Sequence, residues 1–265
     1  MAADRRGAAV DIVALRKEYV SAAGKVVALD NIDLRVSAGE FLCIVGPSGC
    51  GKSTLLRILA GLDTQSDGTI AVDAAGWPVQ NAMVFQESGL FPWMSVAANV
   101  GFGLMTRGVR AAEAADRVEA ALKLVGLTKF RNHYPHQLSG GMRQRSAIAR
   151  AFVTDPGMLL MDEPFAALDA QNRVILQAEL VRIWEQTGKT VLYVTHSIDE
   201  ALMLGDRTVV MTAQPGRIKR IIDVPFPHPR NLMTLSASPE FGQMKLDIWR
   251  VLEDEVMRAR AEEEG

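Results

Sequence analysis

The chain has 265 residues, 48% of them apolar and 23% charged, and a net charge of −2. That balance supports a packed core in one domain-sized unit and excludes wholesale disorder. Basic blocks never exceed a few residues, so no nucleic-acid surface is expected, and the longest apolar runs, such as Phe41–Val45 and Met158–Met161, fall far short of a bilayer span.

Met1 to Val10 carries Arg5 and Arg6 without a following apolar run, so no signal peptide is expected. Ile32, Leu34 and Val36 alternate with Asp33 and Arg35, the period of a half-exposed strand. Phe41–Val45 is instead continuously apolar between Gly39 and Gly46, as a strand buried on both faces of a parallel sheet would be. Gly46-Pro47-Ser48-Gly49-Cys50-Gly51-Lys52-Ser53 follows it and fits G-x-x-x-x-G-K-[ST]. In such a loop the glycines let backbone N–H groups turn inward on phosphate oxygens, at the positive end of a helix. Lys52 can reach the outer phosphates, and the Ser53 hydroxyl can hold Mg²⁺. Leu55, Ile58, Leu59 and Leu62 then recur at helical spacing.

Cys43 and Cys50 stand on one strand and on the loop after it, a placement that does not suit a disulfide. Cys50, among inward-facing amides and beside the Lys52 ammonium, is expected to favour the thiolate and to react with alkylating reagents. The alternative is that its side chain points back into the sheet.

From Gly89 to His136 no strand pattern appears, while Val118, Ala121, Leu122 and Val125 repeat the helical spacing, so a helical insertion is expected. Met158–Met161 and Val191–Val194 are two further apolar strands, and strands alternating with helices predict an α/β core with a parallel sheet. Asp162 and Glu163 close the first of these strands, at the carboxyl edge where such sheets bind ligands. Asp162 can hold Mg²⁺ through water, and Glu163 can polarise an attacking water. An acidic pair also ends many ordinary strands; the phosphate loop upstream favours the chemical reading. Ser197-Ile198-Asp199-Glu200 has the form of a capping box. The prolines of Pro225-Phe226-Pro227-His228-Pro229-Arg230 favour an extended linker. Ser238-Pro239-Glu240 opens a last helix whose apolar face carries Phe241, Met244, Ile248, Val251 and Leu252. Arg258 to Gly265 is charged and expected to fray.

Leu138-Ser139-Gly140-Gly141-Met142 decides among phosphate-loop families. It closely resembles the signature sequence of ABC-type ATPases and precedes the acidic pair at that family's spacing. Physically it is a second glycine-opened helix N-terminus that Ser139 can cap, with Ile148, Ala151 and Phe152 packing the helix below. One chain has no use for two anion sites on one nucleotide. The resemblance, over roughly Val10 to Met211, implies an α/β fold: a P-loop NTPase core with a parallel sheet, an N-terminal antiparallel β part and a helical insertion at about 89–152. It implies an ATP-binding domain over 1–230 and a C-terminal helical extension over 231–265.

The same resemblance assigns roles. ATP would lie on Gly46, Pro47, Ser48, Gly49, Cys50, Gly51, Lys52, Ser53 and Thr54, with Tyr19 against adenine. Ser53, Gln86 and Asp162 would hold Mg²⁺, and Glu163, His196 and Gln86 would be catalytic. Ser139, Gly140, Gly141 and Asp169, the last within Ala167-Leu168-Asp169, would act on the ATP of a second subunit in a head-to-tail dimer. Read without the family, Tyr19 is a packing residue and His196 a satisfied strand end. Met142 stands where many members have Gln, and Gly76–Asn81 is short for the hairpin before Gln86.

Leu90-Phe91-Pro92-Trp93-Met94 follows Gln86, where the family's groove receives a coupling helix of the membrane subunits. Exposed aromatics there would suit a partner hot spot; alternatively Phe91 and Trp93 pack the helical insertion. This Pro-Trp, the Pro225–Arg230 stretch and Pro239-Glu240-Phe241 together resemble the nitrate, sulfonate and taurine importer ATPases. The implied protein hydrolyses ATP for solute uptake, as a homodimer or heterodimer on integral membrane permease subunits, with a solute-binding protein as indirect partner and no nucleic acid. It would sit peripherally at the cytoplasmic face of the inner membrane. A soluble non-transport ABC ATPase is the alternative, although such proteins usually carry coiled coils or tandem units. A small-molecule kinase is a third reading, which the signature argues against.

Overall fold

A computed structural model describes residues 7–21, 24–73, 81–166 and 168–264. In chain order the elements are β1 (Ala9–Ser21), β2 (Gly24–Val36), β3 (Phe41–Val45), α1 (Lys52–Leu59), β4 (Asp67–Asp73), β5 (Asn81–Val84), α2 (Val96–Thr106), α3 (Ala111–Leu124) and α4 (Gly140–Phe152). They continue as β6 (Met158–Asp162), α5 (Ala170–Thr187), β7 (Thr190–Thr195), α6 (Ile198–Leu204), β8 (Arg207–Met211), β9 (Ile218–Asp223), α7 (Leu232–Ser236) and α8 (Pro239–Glu264).

Two sheets organise the chain. Antiparallel β2-β1-β4 is the N-terminal β part, and β5-β6-β7-β3-β8-β9 is parallel except for its last strand. The alternation of β2 works as its pattern predicts: Ile32, Leu34 and Val36 are buried, while Asp33 and Arg35 are exposed. β3 is central and buried on both faces, which explains its unbroken apolar run. Because side chains alternate across a strand, Phe41, Cys43 and Val45 enter one core and Leu42 and Ile44 the other. The first core lies under α2 to α6 and α8; the second lies between the large sheet, α1 and the N-terminal sheet.

Residues 89–152 hold α2, α3, α4 and two short 3₁₀ turns, with no strand among them. Val118, Ala121, Leu122 and Val125 are buried as their spacing requires. The C-terminal helix buries Phe241, Ile248 and Leu252, with Met244 and Val251 partly buried beside them. Among the described residues no helix is long and apolar enough to cross a membrane.

Three expectations change. Leu62 is 62% exposed, because α1 stops at Leu59 and Gly61 turns the chain at φ 71°, so Leu56 supplies the buried contact instead. Pro225–Arg230 is strapped to the core rather than free: the Arg230 guanidinium donates to the carbonyls of Phe226, Leu202, Met203 and Gly205. The charged tail does not break the last helix, which runs to Glu264. Residues 76–80 of the short segment before β5, and Ala167, lie outside the described residues.

Candidate functional site

The carboxyl ends of the parallel strands collect most of the residues singled out by sequence. Residues 46–51 link β3 to α1, and Gly49 and Gly51 adopt φ of 73° and 95°, values that side chains with a Cβ resist. No side chain caps α1, so its first amides remain directed at the loop. Gly46 and Pro47 are buried, Ser48 and Gly49 exposed. Lys52 is buried and donates to the Gly46 and Pro47 carbonyls, each at 2.8 Å, so its ammonium sits inside the loop it spans.

Across from α1, the Ser53 hydroxyl donates to Asp162 Oδ1 at 2.9 Å. Burial pushes the Asp162 carboxyl above its usual range; the Ser53 hydrogen bond opposes this, and the neighbouring Glu163 charge adds to it. A cation here would offset that penalty. Register puts Gln86 on the same edge, since Val84 pairs with Met161 and Gln86 lies two residues further on. Ser53, Asp162 and Gln86 are all hard oxygen donors, which suits Mg²⁺, an ion that binds through few protein oxygens and completes its shell with phosphate and water. The residues present fit that ion.

Glu163 follows Asp162 with φ 44°, left-handed for a residue with a Cβ, a conformation that costs about 1–3 kcal/mol. Its amide donates to the Val194 carbonyl at 3.0 Å, which ties the turn to β7. That geometry brings Glu163 Oε2 to 3.1 Å from His196 Nδ1 at the end of β7, so two residues far apart in sequence form one acid–imidazole pair. The pair is open to solvent on the His196 side.

Tyr19, at the end of β1, is 41% exposed, and its hydroxyl donates to Asp63 Oδ2 at 2.7 Å. Lys17 stands 4.6 Å over the ring centroid and also donates to Asp63. Hydrogen bonds from Lys17 and Tyr19 hold the Asp63 carboxyl at about 2. The hydroxyl is therefore tied to Asp63, Lys17 covers one face of the ring, and the side chain is half-exposed rather than packed into the core.

The glycine-opened helix starts at a cleft that Gln86 also lines. Ser139 caps α4 by accepting from the Met142 amide, while Gly140 and Gly141 face Leu168 and Leu176. Asp169 caps α5 by accepting from Asn172, and those hydrogen bonds hold its carboxyl below the usual range. Gln86 and Gly140 line one open cleft of about 540 Å³, together with Ser88, Gln144, Pro164 and Leu168.

Cys50 departs from the thiolate expectation. It is fully buried, its sulfur 3.7 Å from Lys52 Nζ, and burial outweighs the ammonium and pushes the thiol up. The side chain points into the sheet, where a Cβ on Gly46 would come within 2.8 Å of its sulfur. Both cysteines are free and buried. Brief maleimide treatment of the native protein should therefore label neither, with both labelled in denaturant. Mass spectrometry showing selective Cys50 labelling that Mg-ATP blocks would reverse this conclusion.

The capping box forms only by half. Ser197 accepts from the Glu200 amide, but the Glu200 carboxylate turns inward and accepts from Gln177, Tyr193 and Thr195. Sequence inspection did not find this buried acid as a support for the His196 turn. Nor did it find Asn99 and Arg150. Asn99 is fully buried; its amide donates to the carbonyls of Phe91, Met94 and Ser95, and the Phe91 amide donates back to it. Arg150 donates to the Ser88 and Gly89 carbonyls and lies 5.9 Å from the Phe91 ring centroid. An Asn within the apolar run Val96 to Met105 was the available signal. Phe91 packs on Phe102 at 4.7 Å and on the Trp93 ring at 5.6 Å, while Trp93 itself is 70% exposed.

A family model described as ABC transporter matches residues 29–166. An uncharacterised ABC transporter ATP-binding protein of Methanocaldococcus jannaschii is 47% identical over 97% of this chain and 96% of its own length. A nitrate import ATP-binding protein of Synechocystis is 43% identical over 92% of this chain and 94% of its own. A dimeric ATP-binding cassette, described as a post-hydrolysis state bound to ADP and Pi, superposes with a TM-score of 0.72 at 32% identity, covering 82% of this chain and all of that one.

Proposed function

The chain belongs to the ABC transporter family, and from that premise we propose that it is the ATP-hydrolysing subunit of an ABC-type membrane importer. The observation that carries this reading is the separation of two half-sites. The phosphate loop, Asp162, Glu163 and His196 share one sheet edge, while the Ser139–Gly141 helix start opens on a cleft shared with Gln86, and Gly140 and Gly141 have Leu168 and Leu176, not the phosphate loop, as their nearest neighbours. Closing the second half-site on a nucleotide calls for a second copy or a close relative, arranged head to tail. The dimeric, ADP-bound cassette similar to this chain supports a second copy as that partner.

ATP is held by Gly46 to Thr54 with Tyr19 against the base, and Ser139, Gly140, Gly141 and Asp169 of the other subunit complete the enclosure. Ser53, Asp162 and Gln86 would hold Mg²⁺, which when bound would neutralise charge on the phosphate oxygens. Glu163 orients the attacking water and accepts its proton at a carboxylate oxygen, and His196 keeps that carboxylate in place. Lys52 and the loop amides stabilise the charge that develops on the transferred phosphoryl group.

We assign the ATP-binding domain to 1–230, with its helical part at about 89–152, and the extension to 231–265. The partners are a second ATP-binding subunit, integral membrane permease subunits and, through them, a solute-binding protein. The protein works peripherally at the cytoplasmic face of the membrane. Similarity to a nitrate importer's subunit supports a small anion as the solute, whose choice rests with the other subunits. Exposure of Trp93 favours this reading over a soluble, non-transport ATPase.

Trp93→Ala tests the partner surface. Because the side chain is 70% exposed and touches the Phe91 ring at its inner side, its loss should lower stability by no more than about 1.5 kcal/mol. Co-purification with the membrane subunits should fall by about tenfold or more, the scale of an interface hot spot. Turnover of the isolated chain should be untouched. If no integral membrane protein co-purifies with wild type, the importer reading fails; a stability loss of core-truncation size would assign Trp93 to packing.

A further inference from the structure

The C-terminal helix reaches the back of the phosphate loop through one buried carboxylate. Glu255, on the tenth-to-last residue of α8, is only 3% exposed. Its Oε2 accepts from the Ala213 amide at 2.9 Å, and its Oε1 accepts from Lys219 Nζ at 2.8 Å. Ala213 belongs to the turn between β8 and β9. Within that turn the Thr212 hydroxyl donates to the Pro215 carbonyl and accepts from the Arg217 amide, each at 2.9 Å. Gly216 then bonds on both sides to β2, through the Ala28 carbonyl and the Asp30 amide.

The turn presses on both ends of the phosphate loop. A Cβ on Gly216 would fall 2.0 Å from the Cys50 carbonyl oxygen, and a Cβ on Gly46 would fall 3.1 Å from Met211 Cβ, at the residue entering the turn. Gly51 is equally confined: its Cβ would meet the Ala28 carbonyl at 2.8 Å. So the amides aimed at phosphate are backed by residues 211–216, and those residues are in turn held from outside by Glu255. Burial alone would raise the Glu255 carboxyl, but the Lys219 and Ala213 hydrogen bonds prevail and keep it below its usual range, as a charged anchor requires.

We propose that the C-terminal helix braces the nucleotide site, with Glu255 as a positioning residue that sets affinity for nucleotide through the 212–216 turn. This rests on reading residues 46–54 as that site. A loop held in its binding geometry before nucleotide arrives loses less freedom on binding. Releasing the turn therefore weakens binding while leaving the acid–imidazole pair at the other strand ends unchanged.

The test measures ATP affinity, KM and kcat on the full chain. Glu255→Ala should raise Kd and KM for ATP by about tenfold, the scale of losing a hydrogen bond to a charged group, with kcat at saturating ATP unchanged. Glu255→Gln keeps an oxygen for the Ala213 amide and should recover most of the affinity. Phe241→Ala, at the other end of the same helix, should lower Tm yet leave KM at the wild-type value. Should Glu255→Ala not fold, Gly216→Ala applies the opposite perturbation by pushing on the Cys50 carbonyl, and it too should raise Kd. Wild-type affinity in Glu255→Ala or in Gly216→Ala overturns the brace, as does an equal rise in KM for Phe241→Ala. Lys52→Ala separates the two readings: if it loses ATP while Glu255→Ala binds normally, only the brace fails. If Lys52→Ala binds like wild type, the site itself is misplaced.

Discussion

Glu163→Gln is expected to bind Mg-ATP as wild type does, while turnover falls by about 10²–10⁴-fold, the range for removing a general base. The amide is isosteric and can still hydrogen-bond to His196, so the strained turn at φ 44° and its tie to Val194 should persist. Removing the charge also relieves Asp162, whose carboxyl Glu163 helps to raise, so cation binding should not weaken. With hydrolysis stalled and nucleotide retained, two subunits should stay closed, and size-exclusion chromatography with ATP should show a dimer that ADP does not support. Wild-type turnover in this variant would remove Glu163 from the chemistry.

The second large effect concerns action in trans. Ser139→Arg replaces the small cap at the start of α4 with a side chain too large for a closed interface, and turnover should fall by about 10²-fold or more, as when preorganised charge stabilisation is lost. A single subunit should still bind nucleotide at wild-type affinity, because the Ser139 hydroxyl bonds within its own helix, to the Met142 amide, and the adjacent glycines have Leu168 and Leu176 as nearest neighbours. Lys52→Ala has the opposite defect: its loop has lost the buried ammonium that spans the Gly46 and Pro47 carbonyls. Each variant alone should keep at most about a hundredth of the wild-type turnover. Mixed, they should recover part of the wild-type rate, since each mixed dimer holds one intact composite site. Mixtures that stay inactive, or a Ser139→Arg monomer that cannot bind ATP, would contradict the head-to-tail geometry.

Much of this was legible before any coordinate. Local chemistry writes itself into short stretches: glycines mark φ values that other residues resist, as at Gly49 and Gly51, and an unbroken apolar run marks a strand covered on both faces, as in β3. A serine before two glycines marks a helix start, as at Ser139. Each signal depends on residues a few positions apart, so sequence alone determined the fold class, the glycine-turned loop between β3 and α1 and the acidic end of β6.

What only the tertiary structure decided depends on contacts between distant segments. Side-chain direction was one such matter: Cys50 shares its loop with Lys52, yet packing turns its sulfur into the sheet, and burial then outweighs the adjacent charge. Glu200 fits a local cap, but a buried carboxylate goes where donors satisfy it, and Gln177, Tyr193 and Thr195 lie inward. Helix α1 stopped a turn short of Leu62 because the chain had to turn at Gly61. The pairing of Glu163 with His196, and the hold of Glu255 on the turn behind the phosphate loop, each join residues more than thirty positions apart. No periodicity carries such information, because strand order and helix docking set those distances, and both arise from burying two cores at once.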